Sequence, residues 1–193
     1  EMCIRDRRST IVKVLDQAGI GLSEVSAIGI TNQRESTIAW NRETGEALCP
    51  AINWQCRRTA GFCDELKEEG FDELIRNRTG LVTDPYFSGT KMHWILQNVP
   101  EAANLARQGK LCFGTVDSWL IWKLSGGTTH AIEISNASRT LVFDIQKCEW
   151  DSEILSRFGI PPESLPEVVP SSGVIAEVDA VSYTHLTLPT ISR

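Results

Sequence analysis

Seven consecutive residues carry the strongest chemical signal in this chain. They are Gly29-Ile30-Thr31-Asn32-Gln33-Arg34-Glu35, and apolar, strand-like residues lie on both sides of their polar part, at 27–30 and 37–40. A tight turn does not account for this cluster, because the run holds no proline and only one glycine. Buried polar groups need partners, and a ligand rich in hydroxyl groups is one such partner. The run therefore indicates a site for a hydroxyl-rich ligand; the alternative is an exposed Arg34–Glu35 surface pair.

Three further clusters combine polar with aromatic or small residues. Tyr86 offers a ring face and a hydroxyl group, and Trp54 offers an apolar wall for carbon-bound hydrogens. The alternative for both, and for Phe87, is ordinary packing. The three clusters are Ala51-Ile52-Asn53-Trp54-Gln55-Cys56-Arg57-Arg58, Asp84-Pro85-Tyr86-Phe87-Ser88-Gly89-Thr90-Lys91 with Trp94 after it, and Ser135-Asn136-Ala137-Ser138-Arg139-Thr140.

Alternating helical and strand-like periodicities must position these clusters, and such alternation is typical of one α/β domain. The patterns predict helices at residues 9–18, 57–69, 71–78, 90–97, 101–108, 117–123 and 152–158. They predict strands at residues 27–30, 36–40, 47–52, 111–115 and 141–145, with a hairpin-type turn at 41–45.

Charge and composition argue against several classes of protein. The net charge is −6 and the acidic residues are dispersed, which does not suit a nucleic-acid-binding surface. No apolar run approaches the roughly 20 residues that a membrane-spanning helix needs. Charges interrupt the apolar stretch at residues 11–16, so it does not read as a secretory signal. The six cysteines form no C-x-x-C pair and no cluster with histidine, and we expect reduced thiols in a cytoplasmic protein.

The two ends of the chain are related through the genetic code. Met2-Cys3-Ile4-Arg5-Asp6 can be written ATG TGT ATA AGA GAC, whose reverse complement encodes Val181-Ser182-Tyr183-Thr184-His185. The same nucleotide sequence occurs in the mosaic end of a common library-preparation adapter. Translating the adapter further in the same reading frame gives Leu186-Thr187-Leu188-Pro189-Thr190. We therefore expect residues 1–7 and 181–193 to be translated adapter, with a natural inverted repeat as the alternative. Residues 8–180 would then be the natural domain.

In their order along the chain, these clusters resemble the glycerol kinase branch of the FGGY family of carbohydrate and polyol kinases. The resemblance covers residues 8–180. Residues 86–98 fit the first of the family's signature patterns, with Lys91 and Trp94 at the expected offsets. The motifs that follow the Gly29 run in family order are Asn53-Trp54-Gln55-Cys56-Arg57-Arg58-Thr59, Gly80-Leu81-Val82, residues 84–91, Phe113-Gly114-Thr115-Val116-Asp117 and Asn136-Ala137-Ser138-Arg139-Thr140.

The resemblance implies a fold and a set of site residues. The fold would be α/β, of the ribonuclease H-like or actin-like ATPase type, with residues 8–180 forming part of the first, FGGY N-terminal domain. Arg34 would donate charged hydrogen bonds to substrate hydroxyls, and Glu35 would accept hydrogen bonds from them. Tyr86 would bond a further hydroxyl, and Trp54 would pack against the carbon backbone of the substrate.

The resemblance further implies scaffolding roles near the cleft for Asp117 and Arg139. The family's reaction transfers the γ-phosphoryl group of ATP, with Mg²⁺, to glycerol and gives sn-glycerol 3-phosphate. The parent enzyme would be a cytoplasmic homo-oligomer that acts on a small molecule, without nucleic acid or a membrane span. Two alternatives stay open: another polyol or sugar kinase of the family, or a non-catalytic polyol-binding module.

Several catalytic parts of the family are expected outside residues 8–180. The Gly-Thr-Thr phosphate loop should precede residue 8. The catalytic aspartate, in a Gly-Asp-Gln setting, and the adenine-binding domain should follow residue 180. Ser125-Gly126-Gly127-Thr128 is too short to serve as a nucleotide-binding loop. We therefore expect no catalytic, cofactor-binding or metal-binding residue in this chain, and no kinase activity from the chain alone.

Overall fold

The computed structural model describes residues 13–179, in which helices and short strands alternate. The helices that lie wholly within this range are α1 (Ala60–Glu68), α2 (Phe71–Thr79), α3 (Ser88–Asn98), α4 (Pro100–Arg107), α5 (Val116–Leu124), α6 (Ile134–Ala137) and α7 (Ser152–Phe158). The strands are β1 (Ile38–Asn41), β2 (Leu111–Gly114), β3 (Ala131–Glu133), β4 (Phe143–Asp144), β5 (Glu149–Trp150) and β6 (Glu167–Val169). Short 3₁₀ turns occur at Leu22–Glu24 and Pro162–Ser164.

The strand that follows the polar run, β1, belongs to a two-stranded sheet and makes isolated bridges on its other side. β1 pairs antiparallel with β2, with Ile38 opposite Gly114 and Asn41 opposite Leu111. On the other edge of β1 the chain returns after a turn at residues 41–45. In this turn the Gly45 N–H donates to the Asn41 carbonyl at 2.8 Å. The predicted hairpin turn is confirmed. The predicted strand at 47–52 forms only two isolated bridges, from Ala47 to Trp40 in β1 and from Ile52 to Thr37 just before β1, and Pro50 between them has no N–H to donate.

The predicted strand at residues 27–30 is wrong for this structure. These residues have no regular secondary structure, and Ile28 leaves 53% of its surface exposed. A strand needs a neighbour that accepts its backbone hydrogen bonds. No segment within residues 13–179 pairs with this stretch, and its apolar pattern alone does not hold it as a strand.

The helices agree closely with the sequence patterns. α2, α4, α5 and α7 each begin and end within one residue of the predicted bounds. α1 begins three residues later than predicted, because residues 53–59 form successive turns. The Thr59 hydroxyl pairs with the Thr90 hydroxyl at 2.9 Å and ties the start of α1 to α3. Residues 13–18 are helical, and the rest of the helix predicted at 9–18 lies outside the described residues.

Around residues 131–169 the patterns missed three strands and one short helix. β3 and β6 form a parallel pair, and β5 pairs antiparallel with β4. The strand predicted at 141–145 is reduced to two residues, because Leu141 has a φ of +71° and breaks the extended backbone. Segments of two or three residues are too short to show a period in sequence.

One apolar cluster joins the helices to the β1–β2 sheet. Leu66, Ile75 and Ile95 bring in α1, α2 and α3, and Phe113 and Phe158 bring in β2 and α7. Each of these five side chains has no exposed surface. This core fixes the start of α3 and the end of the polar run, which together border the candidate site.

Candidate functional site

Glu35 is the buried end of the polar run. Its residue is only 6% exposed, and its carboxylate accepts a hydrogen bond from Nε of Arg139 at 2.8 Å. The two residues lie 104 positions apart in sequence, so the pair links the polar run to the segment after α6. A carboxylate taken out of water needs such a charged partner.

Arg34, the neighbour of Glu35, has the opposite environment. It lies in an exposed turn and makes no hydrogen bond or ion pair with another residue in the range 13–179. The interpretation of Arg34 and Glu35 as a surface ion pair is therefore wrong, since Glu35 pairs with Arg139 instead. The run presents the exposed Arg34 guanidinium, which has no partner within residues 13–179, beside one buried, oriented carboxylate.

Tyr86 and Trp54 lie next to each other at the same site. Their ring centroids are 5.8 Å apart and the planes are inclined by 60°. The Tyr86 N–H donates to the Asp84 side chain at 2.8 Å, which fixes the turn after Pro85. Tyr86 is half-buried and Trp54 is 39% exposed, whereas Phe87 is a core residue, as its packing interpretation predicted.

Arg139 also joins the carboxylate to the aromatic residues. Its guanidinium carbon lies 4.9 Å from the Phe87 ring centre and 5.9 Å from the Tyr86 ring centre. These distances suit cation–π attraction. The resemblance assigned Arg139 to scaffolding, and the structure gives it a direct contact with the proposed substrate-binding residue Glu35.

Gly89 brings α3 close to the segment that carries Arg139. Its N–H donates to the Thr140 carbonyl at 2.6 Å. A Cβ at this position would lie 2.7 Å from that oxygen and 2.8 Å from Cγ1 of Val142. Only glycine allows this backbone approach, since any larger side chain would meet the Thr140 carbonyl.

Lys91, in the first turn of α3, connects the two sides of the site. Its Nζ donates to the Glu35 carbonyl at 2.7 Å and also to the Tyr86 carbonyl. The residue has no exposed surface. Burial lowers the pKa of Lys91 to about 8, against the opposing charges of Cys56, Glu35 and Asp84.

Residues 56–58 form one rim of the site. Nε of Arg58 donates to Sγ of Cys56 at 2.9 Å, and its guanidinium carbon lies 4.4 Å from the Trp94 ring centre. Burial works against ionisation of Cys56, but the hydrogen bonds from Arg58 outweigh it and bring the pKa of this thiol below its ordinary value. Arg57 lies 3.9 Å from Asp84 in an exposed ion pair.

Asp117 has a structural environment away from these contacts. Its carboxylate accepts hydrogen bonds from the Thr115 hydroxyl and from the Glu133 N–H, the latter at 3.1 Å. It thereby fastens the start of α5 to β3. Burial raises the pKa of Asp117 even though these donors favour the charged form. The scaffolding role near the cleft that the resemblance implies for Asp117 stays a prediction.

The structure thus brings Glu35, Trp54 and Tyr86 together and leaves Arg34 exposed beside them. Sequence reasoning missed the contacts of Lys91 and Arg139, although both residues stood in the clusters it singled out. The available signal was an ionisable residue among apolar or small neighbours, as in Thr90-Lys91-Met92.

No group of three or more His, Cys, Asp or Glu residues in the range 13–179 has the geometry to hold a metal ion. A hollow of about 210 Å³ lies elsewhere, beside Arg42, Gly45 and Trp122. None of the helices described is both long enough and apolar enough to cross a membrane.

Comparison with known proteins gives a consistent set of relatives. Residues 2–190 match the family model described as "FGGY family of carbohydrate kinases, N-terminal domain". The chain is 57% identical over 162 residues to glycerol kinase 2 of Thermotoga maritima, an alignment that covers 84% of this chain and 33% of the relative. It is 51% identical over 177 residues to the glycerol kinase of Treponema denticola, covering 92% of this chain and 36% of the relative.

A solved structure agrees with the sequence relatives. The crystal structure of Plasmodium falciparum glycerol kinase with ADP superposes with a TM-score of 0.84 at 32% identity, over 93% of this chain and 35% of that chain. The expected fold class, a partial first domain of the actin-like ATPase type, is confirmed. The chain spans about a third of the length of the curated relatives it matches.

Proposed function

This chain belongs to the FGGY family of carbohydrate kinases, and we propose that it forms the glycerol-binding part of an ATP-dependent glycerol kinase. In this proposal the whole enzyme transfers the γ-phosphoryl group of ATP to glycerol and yields sn-glycerol 3-phosphate. Relatives named glycerol kinase are 51% and 57% identical to the chain, which favours glycerol over the other polyols and sugars of the family.

One observation of the site carries the proposal. The Glu35 carboxylate is buried and forms an ion pair with Arg139 at 2.8 Å. Arg139 lies over the Tyr86 ring, which in turn contacts the Trp54 ring. A fixed carboxylate accepts hydrogen bonds from adjacent substrate hydroxyls, and the exposed guanidinium of Arg34 donates to them. The Tyr86 hydroxyl adds a further polar contact, and Trp54 covers the carbon-bound hydrogens.

Such a site selects its substrate through paired hydroxyl groups. A ligand that lacks one of them leaves a buried polar group unsatisfied, which costs more than the loss of a methylene contact. The chain's own residues would therefore bind and orient the acceptor hydroxyl.

ATP and Mg²⁺ would be held by other parts of the whole enzyme. The described residues contain no metal cluster and no nucleotide-binding loop sequence, so they do not fit either group. Phosphoryl transfer depends on charge stabilisation at the phosphates. We therefore propose that the 193-residue chain binds glycerol without phosphorylating it.

The compartment and assembly of the whole enzyme are also proposals. Cys49, Cys56, Cys63, Cys112 and Cys148 are free thiols, which supports a reducing, cytoplasmic environment. A homo-oligomeric parent rests on the family resemblance alone.

A glycerol titration of the 193-residue chain tests the proposal. The indole N–H of Trp54 and the amide of Tyr86, followed by NMR, are expected to shift and saturate with glycerol. Glu35→Gln should weaken binding by about tenfold or more, because the carboxylate is lost from a buried site. Glu69→Gln serves as the control, since Glu69 pairs with Arg157 on an exposed surface. No saturable shift, or equal affinities in the two variants, would overturn the proposal.

A further inference from the structure

Lys91 occupies a position where a cation is costly. Its residue has no exposed surface, and it lies in the first turn of α3, where the helix dipole repels positive charge. It makes no ion pair within residues 13–179; its hydrogen-bond partners there are backbone carbonyls. A buried charge is retained when its contacts offset the loss of hydration.

The two carbonyls that it binds belong to the two segments of the proposed glycerol site. One is the Glu35 carbonyl, 56 residues away in sequence, and the other is the Tyr86 carbonyl, five residues away. Glu35 and Tyr86 supply side chains to that site. One ammonium group therefore sets the spacing between their backbones.

The other charged groups near Lys91 act at longer range. Asp84 and Cys56 lie on the segments before α3 and α1, and with Glu35 they supply the negative charge that favours the protonated amine. Asp84 is hydrogen-bonded to the Tyr86 N–H, so its carboxylate is engaged in fixing the same turn. The three donors of an ammonium group suit the simultaneous contact with two carbonyls.

We infer that Lys91 is a positioning residue for polyol binding, which holds Glu35 and Tyr86 at a fixed separation through their main-chain oxygens. The inference rests on the proposed function of this site. Lys91 fixes the backbone on either side, whereas Arg139 orients the carboxylate itself. Because the contacts are to main-chain atoms, the role does not depend on direct contact between Lys91 and the ligand.

The test compares three variants of the 193-residue chain. Lys91→Met keeps the unbranched stem and removes the ammonium group, and Lys91→Gln keeps an uncharged NH₂ group with two N–H donors. Lys67→Met is the control, because Lys67 is half-exposed and its ion pair within the described residues is with Asp64, at 3.5 Å. Two quantities are measured: hydrogen exchange at the Tyr86 amide without ligand, and the affinity for glycerol by NMR titration.

For Lys91→Met we expect faster exchange at Tyr86 and a glycerol affinity lower by about tenfold or more. Lys91→Gln should recover part of both effects, and Lys67→Met should change neither. A folded Lys91→Met variant with unchanged exchange and affinity would overturn the inference. If neither Lys91 variant folds, ¹⁵N spectra of the unchanged chain decide, since absence of couplings from Nζ to the two carbonyls would overturn it as well.

The two proposals can fail separately. If the unchanged chain does not bind glycerol, the proposed function is contradicted, and exchange at Tyr86 still decides whether Lys91 sets the local geometry. If the unchanged chain binds glycerol and the Met variant binds it equally well, only the role of Lys91 is contradicted.

Discussion

Residues 84–91 and residues 27–35 both border the candidate site, but they are held in place by different means. The first segment runs into α3, whose start is fixed by the backbone approach of Gly89 to Thr140. The second has no regular structure before β1, and its first part is exposed. Within residues 13–179, the long-range hydrogen bonds of this segment are those of its last residue, Glu35, which is held by Lys91 through the carbonyl and by Arg139 through the carboxylate.

The difference shows which segment makes the site rigid. The packed start of α3 positions Tyr86, and Glu35 is fixed against it by Lys91 in the same helix start and by Arg139 in the segment after α6. The loose segment does not need its own sheet partner to place Glu35. Variants on either side, and in the link between them, test this division.

The largest effect on the free energy of unfolding is expected for Gly89→Ala, which disturbs the packed start of α3. The added Cβ would lie 2.7 Å from a backbone oxygen and force α3 away from Thr140. Overpacking together with the strained hydrogen bond should lower the free energy of unfolding by about 3–4 kcal/mol. Urea denaturation measures it. Gly61→Ala in α1, with open space around its Cβ, should instead be neutral or slightly stabilising. Equal effects at the two glycines would contradict the account.

The next effect concerns how the free energy of unfolding depends on pH through Lys91, which joins the two segments. With a pKa of about 8 in the folded state and an ordinary value of 10.5 when unfolded, the unfolded chain binds more protons between these values. The free energy of unfolding should therefore rise with pH in this window, by roughly 3 kcal/mol in total. Lys91→Met should lack this rise. Urea denaturation of both chains at pH 8 and 10 provides the comparison, and parallel pH profiles would contradict it.

A smaller effect is expected for Arg139→Gln, which releases the Glu35 side chain. The carboxylate would be left buried without its ion pair, at a cost of about 2 kcal/mol in the free energy of unfolding. A double-mutant cycle with Glu35→Gln isolates the coupling between the two side chains. The exposed pair Arg157–Glu69, at the similar distance of 2.7 Å, should couple by less than about 1 kcal/mol. Coupling no stronger at Glu35 than at Glu69 would count against the account.

The smallest effect on the free energy of unfolding is expected at Ile28, in the segment 27–35 that has no regular structure. Because this side chain is mostly exposed, Ile28→Ser should change the free energy of unfolding by less than about 0.5 kcal/mol. Ile38→Ser in the buried strand β1 is the comparison, and should cost about 3 kcal/mol. A large loss at Ile28 would mean that residues 27–30 are packed after all.

The same contrast explains what could be predicted from sequence. Helices α2, α4, α5 and α7 follow local periodicity, and the patterns found them nearly to the residue. Residues 27–30 carry a strand pattern, but strand formation depends on a pairing partner that no local pattern supplies. β3 and β6 pair across 36 positions and are only three residues long, so no period revealed them.

For the site, residue type was more informative than position. The polar run and the Asp84–Lys91 cluster pointed to Glu35 and Tyr86, and the structure brings both near Trp54. The roles of Lys91 and Arg139 could not be predicted, because each depends on a contact between segments distant in sequence. The substrate-binding roles of Arg34, Glu35, Trp54 and Tyr86, and the adapter origin of residues 1–7 and 181–193, stay predictions.

The central claim is that this chain supplies the glycerol site of a kinase. Its most direct test is to read the source DNA through both ends of the chain, express the product of the whole frame, and assay phosphorylation of glycerol with ATP and Mg²⁺. We expect glycerol to be phosphorylated in preference to xylulose and gluconate, with kcat/KM lowered about tenfold or more by Glu35→Gln. A product that does not phosphorylate glycerol, or whose Glu35→Gln variant is as active as the parent, would contradict the claim.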